Sequence, residues 1–245
     1  HAENEEGSPK VALRGYLRQG TSHKIKINAV RSSATSLLRM LGVDAAREMG
    51  KRMLDDKGLN LLFRDARSQR AWADKSVSET TLRQLYDLAI LGPTSANCLP
   101  MRLVFVKSSE AKKKLKPCLG SNNVEKVMAA PVTAIVAYDL EFAKYLPNLF
   151  PHADAKSWFT GNPGLTETTA LRNGSMQGAY MILAARSLGL DCGPMSGFDH
   201  SKVDEAFFNG TSYRSNFLCS LGYGDHSAYG VRLPRFDFDE ICKLV

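Results

Sequence analysis

"LGPTSANCLPMRLVFV", residues 91–106, carries two prolines, a glycine and a run of small hydroxyl and amide side chains, then passes directly into a dense apolar run. On its upstream side, "SETTLRQLYDLAI" (78–90) puts Leu82, Leu85, Tyr86 and Ala89 at i, i+3, i+4 and i+7, the stripe of an amphipathic helix. Ser78 opens that helix in a loose capping box, and Gly92 with Pro93 stops it. On its downstream side, residues 102–107 read as a buried strand. A loop that only turns the chain has no need of this composition. Without side-chain bulk, backbone N–H groups can approach a flat ligand, and "PTSAN" adds two hydroxyls and an amide suited to the polar edge of a heteroaromatic ring. An ordinary capped turn accounts for the pentapeptide equally well.

Outward from this stretch, helical and strand patterns alternate. "DDKGLNLLFRDARS" (55–68) reads as a short helix, "SSEAKKKLKPCL" (108–119) as a Lys-rich one whose Lys112–Lys114 run faces water, and a further helix is expected over 124–130. A second strand spans 132–138. "FPHADAKSWFTGNPG" (150–164) is long enough to be a lid or an interface loop. The longest helical pattern covers 165–188, with Met176, Tyr180, Leu183, Ala184 and Leu188 on one side. "LDCGPMSGFD" (190–199) breaks it, a short helix follows over 202–208, and "SNFLCSLGYG" (215–224) is a strand. Helices around a few strands give an α+β, layered α/β architecture.

A chain of 245 residues can bury one sizeable core. Its net charge of +7 is unevenly spread: residues 1–54 hold ten Lys/Arg against five Asp/Glu, which leaves twenty-two against twenty for the rest. That distribution argues against a nucleic-acid-binding face on the main domain. The division expected is an N-terminal extension or arm of unclear role over 1–54 and a folded domain over 55–245. No apolar run is long enough to span a bilayer. Five scattered cysteines without a C-x-x-C pair argue against a zinc site and for a reducing compartment, so a cytoplasmic location and no bound metal are expected.

Two more stretches resemble the first in design. "GPMSGF" (193–198) turns the chain after a helix and presents a Ser-Gly pair; a C-cap followed by a turn explains it too. "RDARSQRAW" (64–72) and "VRLPRFDF" (231–238) carry arginines whose guanidinium forks suit phosphate. Either cluster alone reads as a solvated basic face; together they point to a phosphate held by the two ends of the domain.

Taken in order, "ARSQRAW", "GPTSANCLPMRLVFV", "NGSMQGAYMILAARSLGLDCGPMSGFD" and "LGYGD" with the closing "RLPR" resemble the nitroreductase family of FMN-dependent oxidoreductases over residues 55–245. "NLFPHADAKSWFTGNP" and "FFNGTSYRSNFLCSLGYGD" resemble the subgroup that includes the malonic semialdehyde reductase of pyrimidine breakdown. The resemblance implies a central mixed, mainly antiparallel sheet flanked by helices, and an intertwined homodimer with FMN at the seam. It implies that Arg67, Ser68 and Arg70 contact the FMN phosphate, ribityl chain or pyrimidine edge. Pro93, Thr94, Ser95 and Asn97 would line the ring, Ser196 and Gly197 would offer N–H groups near flavin N5, and Arg232 and Arg235 would clamp the phosphate. Arg70 and Arg102 are candidates for the cation beside the reduced ring, while His152, Trp158 and Phe159 are candidates for the substrate pocket. The activity implied is ping-pong hydride transfer from NADPH or NADH, through flavin N5, to a small-molecule acceptor: malonic semialdehyde, giving 3-hydroxypropionate, or a nitroaromatic or quinone. The competing reading is a non-catalytic basic binding protein that uses its N-terminal arm on nucleic acid or membrane.

Overall fold

A computed structural model describes residues 53–245. The basic N-terminal extension therefore lies, apart from its last two residues, outside the described residues. Contacts divide the chain at Leu54/Asp55, and the unit from Asp55 onward is the one considered below.

Four strands form its sheet: β1 (Met101–Val106), β2 (Val132–Asp139), β3 (Asp191–Met195) and β4 (Tyr213–Gly222). Their order is β1-β2-β4-β3, every neighbouring pair is antiparallel, and β1 and β3 form the two edges. The mainly antiparallel sheet expected is present, and among the described residues its parallel pairing is one isolated bridge, Ser68 with Cys192.

β2 is buried along its whole length because both of its faces are covered. Val132, Ala134 and Val136 meet Leu82, Leu85 and Ala89 of α2 (Glu79–Ala89) and Met181, Ala184 and Ala185 of α6 (Pro163–Ser187). On the other face, Ile135 and Ala137 meet Leu115 of α3 (Ser109–Leu115), Val127 of α4 (Ser121–Ala129) and Val203 and Phe208 of α7 (His200–Phe208). The alternation of a strand thus divides one run of sequence between two apolar layers. Lys112 is not the wet residue expected of its run: its amine donates to the Met128 and Ala130 carbonyls at the end of α4, and partial burial lowers its pKa.

Three expectations are corrected by packing. Of the side predicted for the long helix, Ala184 is buried, but Met176 and Tyr180 are about two-fifths exposed, and Tyr86 of α2 is nearly half exposed. The buried side instead carries Asn173, Gly174, Gln177, Gly178 and Met181. A Cβ on Gly174 would lie 3.0 Å from Tyr138 Cβ, and one on Gly178 would lie 2.6 Å from the Phe217 ring, so α6 sits too close to the sheet for bulkier residues. "DCGPM", read as a break, is the edge strand β3. The segment 150–164, expected as a loop, follows α5 (Leu146–Leu149), holds one 3₁₀ turn (Ala155–Phe159) that sets Phe159 edge-on against the buried Phe142, and runs into the start of α6.

Candidate active site

The first wall of the site comes from residues 67–73, an extended segment after α1 (Asp56–Leu59) and its continuing π turn. Gln69 N–H donates to the Cys192 carbonyl at 2.8 Å, Ala73 N–H to Tyr223 at 2.8 Å, and Asp225 N–H to Ala71 at 3.0 Å. The segment is therefore sewn both to β3 and to the chain leaving β4. Close approach is possible because Gly193 has no side chain: a Cβ there would lie 2.4 Å from the Gln69 carbonyl. The buried Gln69 side chain then accepts from the N–H groups of Arg70 and Ala71 at 2.8 and 3.2 Å, fixing the turn that displays Arg70.

These two ends of the domain enclose a cavity of about 560 Å³, within the range of ligand pockets. Six cationic side chains line it: Arg67, Arg70, Lys126, Arg186, Arg232 and Arg235; no Asp or Glu does. Among the described residues none of the six forms an ion pair. Arg67 Nη1 donates to the Arg64, Asp65 and Ala66 carbonyls, while its buried Nε has no acceptor. Arg232 bonds the Arg64 and Ala66 carbonyls. Its pKa is lowered by desolvation and then by the positive charges of Arg67, Arg235 and Arg186. An unneutralised cluster of this kind, with a buried donor left over, has the chemistry that suits an anion.

Ser196 and Gly197 follow directly on Met195, which lies in the cavity wall. Their turn is held by α4 and the residue before it: Gly120 N–H and the Asn123 side-chain amide both donate to the Gly197 carbonyl, at 3.0 and 2.9 Å.

The opening stretch sits elsewhere. Residues 93–99 precede β1 at the opposite edge of the sheet from β3, about 14 Å away across three strand spacings, and none of them lines the cavity. Their backbone is unusual: Ala96, Asn97 and Leu99 have φ of 48°, 50° and 40°. Polar side chains of α6 hold this loop, with Asn173 Oδ1 accepting from Ser95 N–H at 2.8 Å and Gln177 Oε1 from Met101 N–H at 3.0 Å. Asn97 Nδ2 donates to the Leu149 carbonyl of α5 at 2.8 Å. Left-handed backbone in non-glycine residues costs energy and persists where surroundings over-determine it.

A sequence profile of the nitroreductase family matches residues 63–223. A protein of Burkholderia lata is 61% identical over 191 residues, covering 78% of this chain and 98% of the relative, and one of Stutzerimonas stutzeri is 56% identical over 78% of this chain and 97% of its own. Both bear the name "Putative NADH dehydrogenase/NAD(P)H nitroreductase".

The chain belongs to the nitroreductase family.

Solved structures show the same fold: one from Exiguobacterium sibiricum, determined in complex with FMN, superposes with a TM-score of 0.67 at 22% identity, covering 80% of this chain and 99% of that one. A nitroreductase family protein of Streptococcus pneumoniae gives 0.66 at 22% identity, over 75% and 98%.

Within this nitroreductase fold, the sequence-predicted residues separate into groups. Arg67, Ser68, Arg70, Arg232 and Arg235 line one cavity, with Ser196 and Gly197 beside it. Pro93, Thr94, Ser95 and Asn97 form the strained loop at the far edge. Arg102 joins neither group: its guanidinium binds Asp139 Oδ2 at 2.6 Å, and Asp139, fully buried, also accepts from Ser212 Oγ and Glu141 N–H. That charge is paired within the fold. His152 and Trp158 cluster around Phe150 on the surface, while Phe159 is partly buried and packs edge-on against Phe142. The sequence reading missed Gln69, Lys126, Arg186 and Tyr229 in the cavity and Asn173 and Gln177 under the loop. Gln69 lies inside "ARSQRAW", and Asn173, Gln177 and Arg186 lie inside "NGSMQGAYMILAARSLGLDCGPMSGFD", so these four stood within quoted motifs without being given a role.

Proposed function

We propose that the protein is an NAD(P)H-dependent FMN oxidoreductase that works as an intertwined homodimer and reduces a small acceptor. The candidates are malonic semialdehyde, giving 3-hydroxypropionate, and a nitroaromatic or quinone. The observation that carries this reading is the cavity with six cations, no carboxylate and an orphaned buried Arg67 Nε, a fit to the dianionic phosphate of FMN. When bound, FMN supplies two-electron transfer between a nicotinamide and the acceptor. Arg67, Arg232 and Arg235 hold the phosphate by charge-assisted bonds, and Arg70 and Lys126 offer positive charge where the reduced ring gains negative charge. Ser68 and the Ser196–Gly197 turn border the same space.

The homodimer reading rests on two features. The strained loop with Pro93, Thr94, Ser95 and Asn97 lies across the sheet from the cavity, so a second copy is needed for it to reach one. Large apolar side chains also face outward, Leu91, Met176 and Tyr180 around α2 and α6, and Val231, Leu233, Phe236 and Ile241 near the C-terminus, an amount of exposed apolar surface expected of an interface. A cytoplasmic location goes with this reading and is supported by buried, unpaired Cys98, Cys118, Cys192 and Cys219.

Purified protein is expected to be yellow, to be bleached anaerobically by NADPH or NADH, and to sediment as a dimer. Arg235→Ala is expected to weaken FMN binding by about 10- to 100-fold, the worth of a charge-assisted bond. A monomeric, colourless protein that takes up no FMN in titration overturns the proposal; salt-sensitive DNA affinity in such a protein would favour the basic-arm reading.

A further inference from the structure

Two of the cavity's arginines lie on a segment with few other attachments. After β4 ends at Gly222, residues 223–235 run out along the cavity, and residues 231–237 are exposed. From Gly230 to Arg235, the hydrogen bonds among the described residues are made by the arginines: Arg232 to the Arg64 and Ala66 carbonyls, Arg235 to the neighbouring carbonyls of Leu233 and Pro234. The last anchors before that stretch converge on one carboxylate. Asp191, at the start of β3, accepts from Gly224 N–H at 2.9 Å and lies 3.1 Å from His226 Nε2 through Oδ2, and accepts from the Tyr229 hydroxyl at 3.2 Å through Oδ1. The rings of His226 and Tyr229 stack at 4.8 Å. Tyr229 itself lines the cavity. Burial, then the Asp191 charge, pushes its hydroxyl up to about 12, so it stays a donor across the working pH range.

The anchor interlocks with the other wall. A Cβ on Gly224 would collide with the Gln69 amide and lie 2.9 Å from Asp191 Oδ2, and Gln69 is the side chain that fixes the N–H groups of Arg70 and Ala71. One carboxylate at the edge strand thus sets the relative placement of both arginine-bearing segments.

We infer that Asp191 is a positioning residue for the anion clamp: through Gly224, His226 and Tyr229 it fixes the C-terminal segment so that Arg232 and Arg235 face the cavity. This rests on the flavin reading above. It extends that reading to a residue that touches no cofactor and acts only on the phosphate end.

Riboflavin, which lacks the phosphate, separates positioning from general support of the fold. Dissociation constants for FMN and for riboflavin are measured by flavin fluorescence quenching on the dialysed full chain, for wild type, Asp191→Asn, Tyr229→Phe, and Arg232→Ala/Arg235→Ala with and without Asp191→Asn. Asp191→Asn is expected to weaken FMN about 10-fold and riboflavin less than 2-fold, and to add less than 2-fold on the double-arginine background. Tyr229→Phe, which removes one hydroxyl and retains folding if Asp191→Asn does not, is expected to weaken FMN about 3-fold with riboflavin unchanged. Equal loss for both flavins, an undiminished effect on the double-arginine background, or no loss of FMN affinity in both variants overturns the positioning role. A wild type that binds neither flavin overturns the flavin reading together with it, whereas a wild type that binds FMN as tightly as its Asp191→Asn and Tyr229→Phe variants overturns only the latch.

Discussion

Replacing Asn173 by alanine asks whether the strained loop before β1 is held from the long helix. Asn173 is 1% exposed, accepts from Ser95 N–H at 2.8 Å and donates to the Thr169 carbonyl at 2.8 Å. The next residues include Ala96, Asn97 and Leu99 with positive φ, each costing on the order of 1 kcal/mol or more relative to relaxed backbone. Such a loop opens unless bonds from outside retain it, and among the described residues these include Asn173 on Ser95, Gln177 on Met101, Asn97 on Leu149, Arg102 on the Leu99 carbonyl and Asp139 N–H on the Pro100 carbonyl. Losing the first leaves a half-buried N–H without a protein acceptor, which costs about 1–2 kcal/mol. For a unit of this size that lowers Tm by roughly 2–8 °C. The decisive assay is amide exchange by mass spectrometry: protection in residues 94–99 is expected to fall well before that of β2. A lower Tm with unchanged exchange in the loop would show that Asn173 supports helix packing alone, and would refute the clamp.

Two further perturbations test other parts of the structure. Asp139→Asn removes the partner of Arg102 from a fully buried site and is expected to cost about 3 kcal/mol in denaturant unfolding; a change under about 0.5 kcal/mol would show that the pair adds nothing. Cys98 is 1% exposed, and burial pushes its thiol from 9.0 up to about 11. Below pH 9 the thiol is neutral in both folded and unfolded chains and its contribution is complete; between pH 9 and 11 the unfolded chain ionises first, so stability is lost as pH rises. Iodoacetamide at pH 8 should therefore leave Cys98 unmodified while labelling the half-buried Cys242, as peptide mass mapping reads directly. Prompt labelling of Cys98 refutes its burial.

Strands β1, β2 and β4 were legible because each is a compact run of apolar residues between turn formers, and α2 because its cap and its stripe agree. β3 was not, since "DCGPM" holds a glycine and a proline. Its one strand partner in the sheet is β4; on the outer side residues 68 and 69 bridge it at Cys192, and Pro194 is exposed beyond that bridge, where a missing N–H leaves no ladder bond unmade. The face of α6 was misjudged for the opposite reason. Its bulky residues suggested the core, but a helix packed closely on a sheet buries Gly174 and Gly178 and turns Met176 and Tyr180 outward. Composition sees size; only the separation of helix and sheet decides whether size fits.

The site shows the same division between local and assembled information. "ARSQRAW" and "RLPR" announced their arginines because a guanidinium declares its chemistry wherever it stands, and the fold brings both to one cavity. Lys126 and Arg186 carry the same charge but were given no role, one on a short helix outside every quoted motif and one inside "NGSMQGAYMILAARSLGLDCGPMSGFD" near the end of a long helix, where a lysine or arginine is ordinarily a solvated residue. Asn173 and Gln177 stood in that same motif without their part being read. On a helix face they read as polar surface, yet they are buried to satisfy Ser95 and Met101, whose N–H groups have no ladder partner because the chain there bends through left-handed backbone. The small side chains of "PTSAN" gave the visible half of that arrangement, and the helix that restrains them lies about eighty residues downstream. A glycine substituted at Ala96 would relieve the backbone strain without touching either amide. If the loop owes its shape to Asn173 and Gln177, its exchange protection survives that change; if it owes its shape to the strained residues themselves, protection is lost.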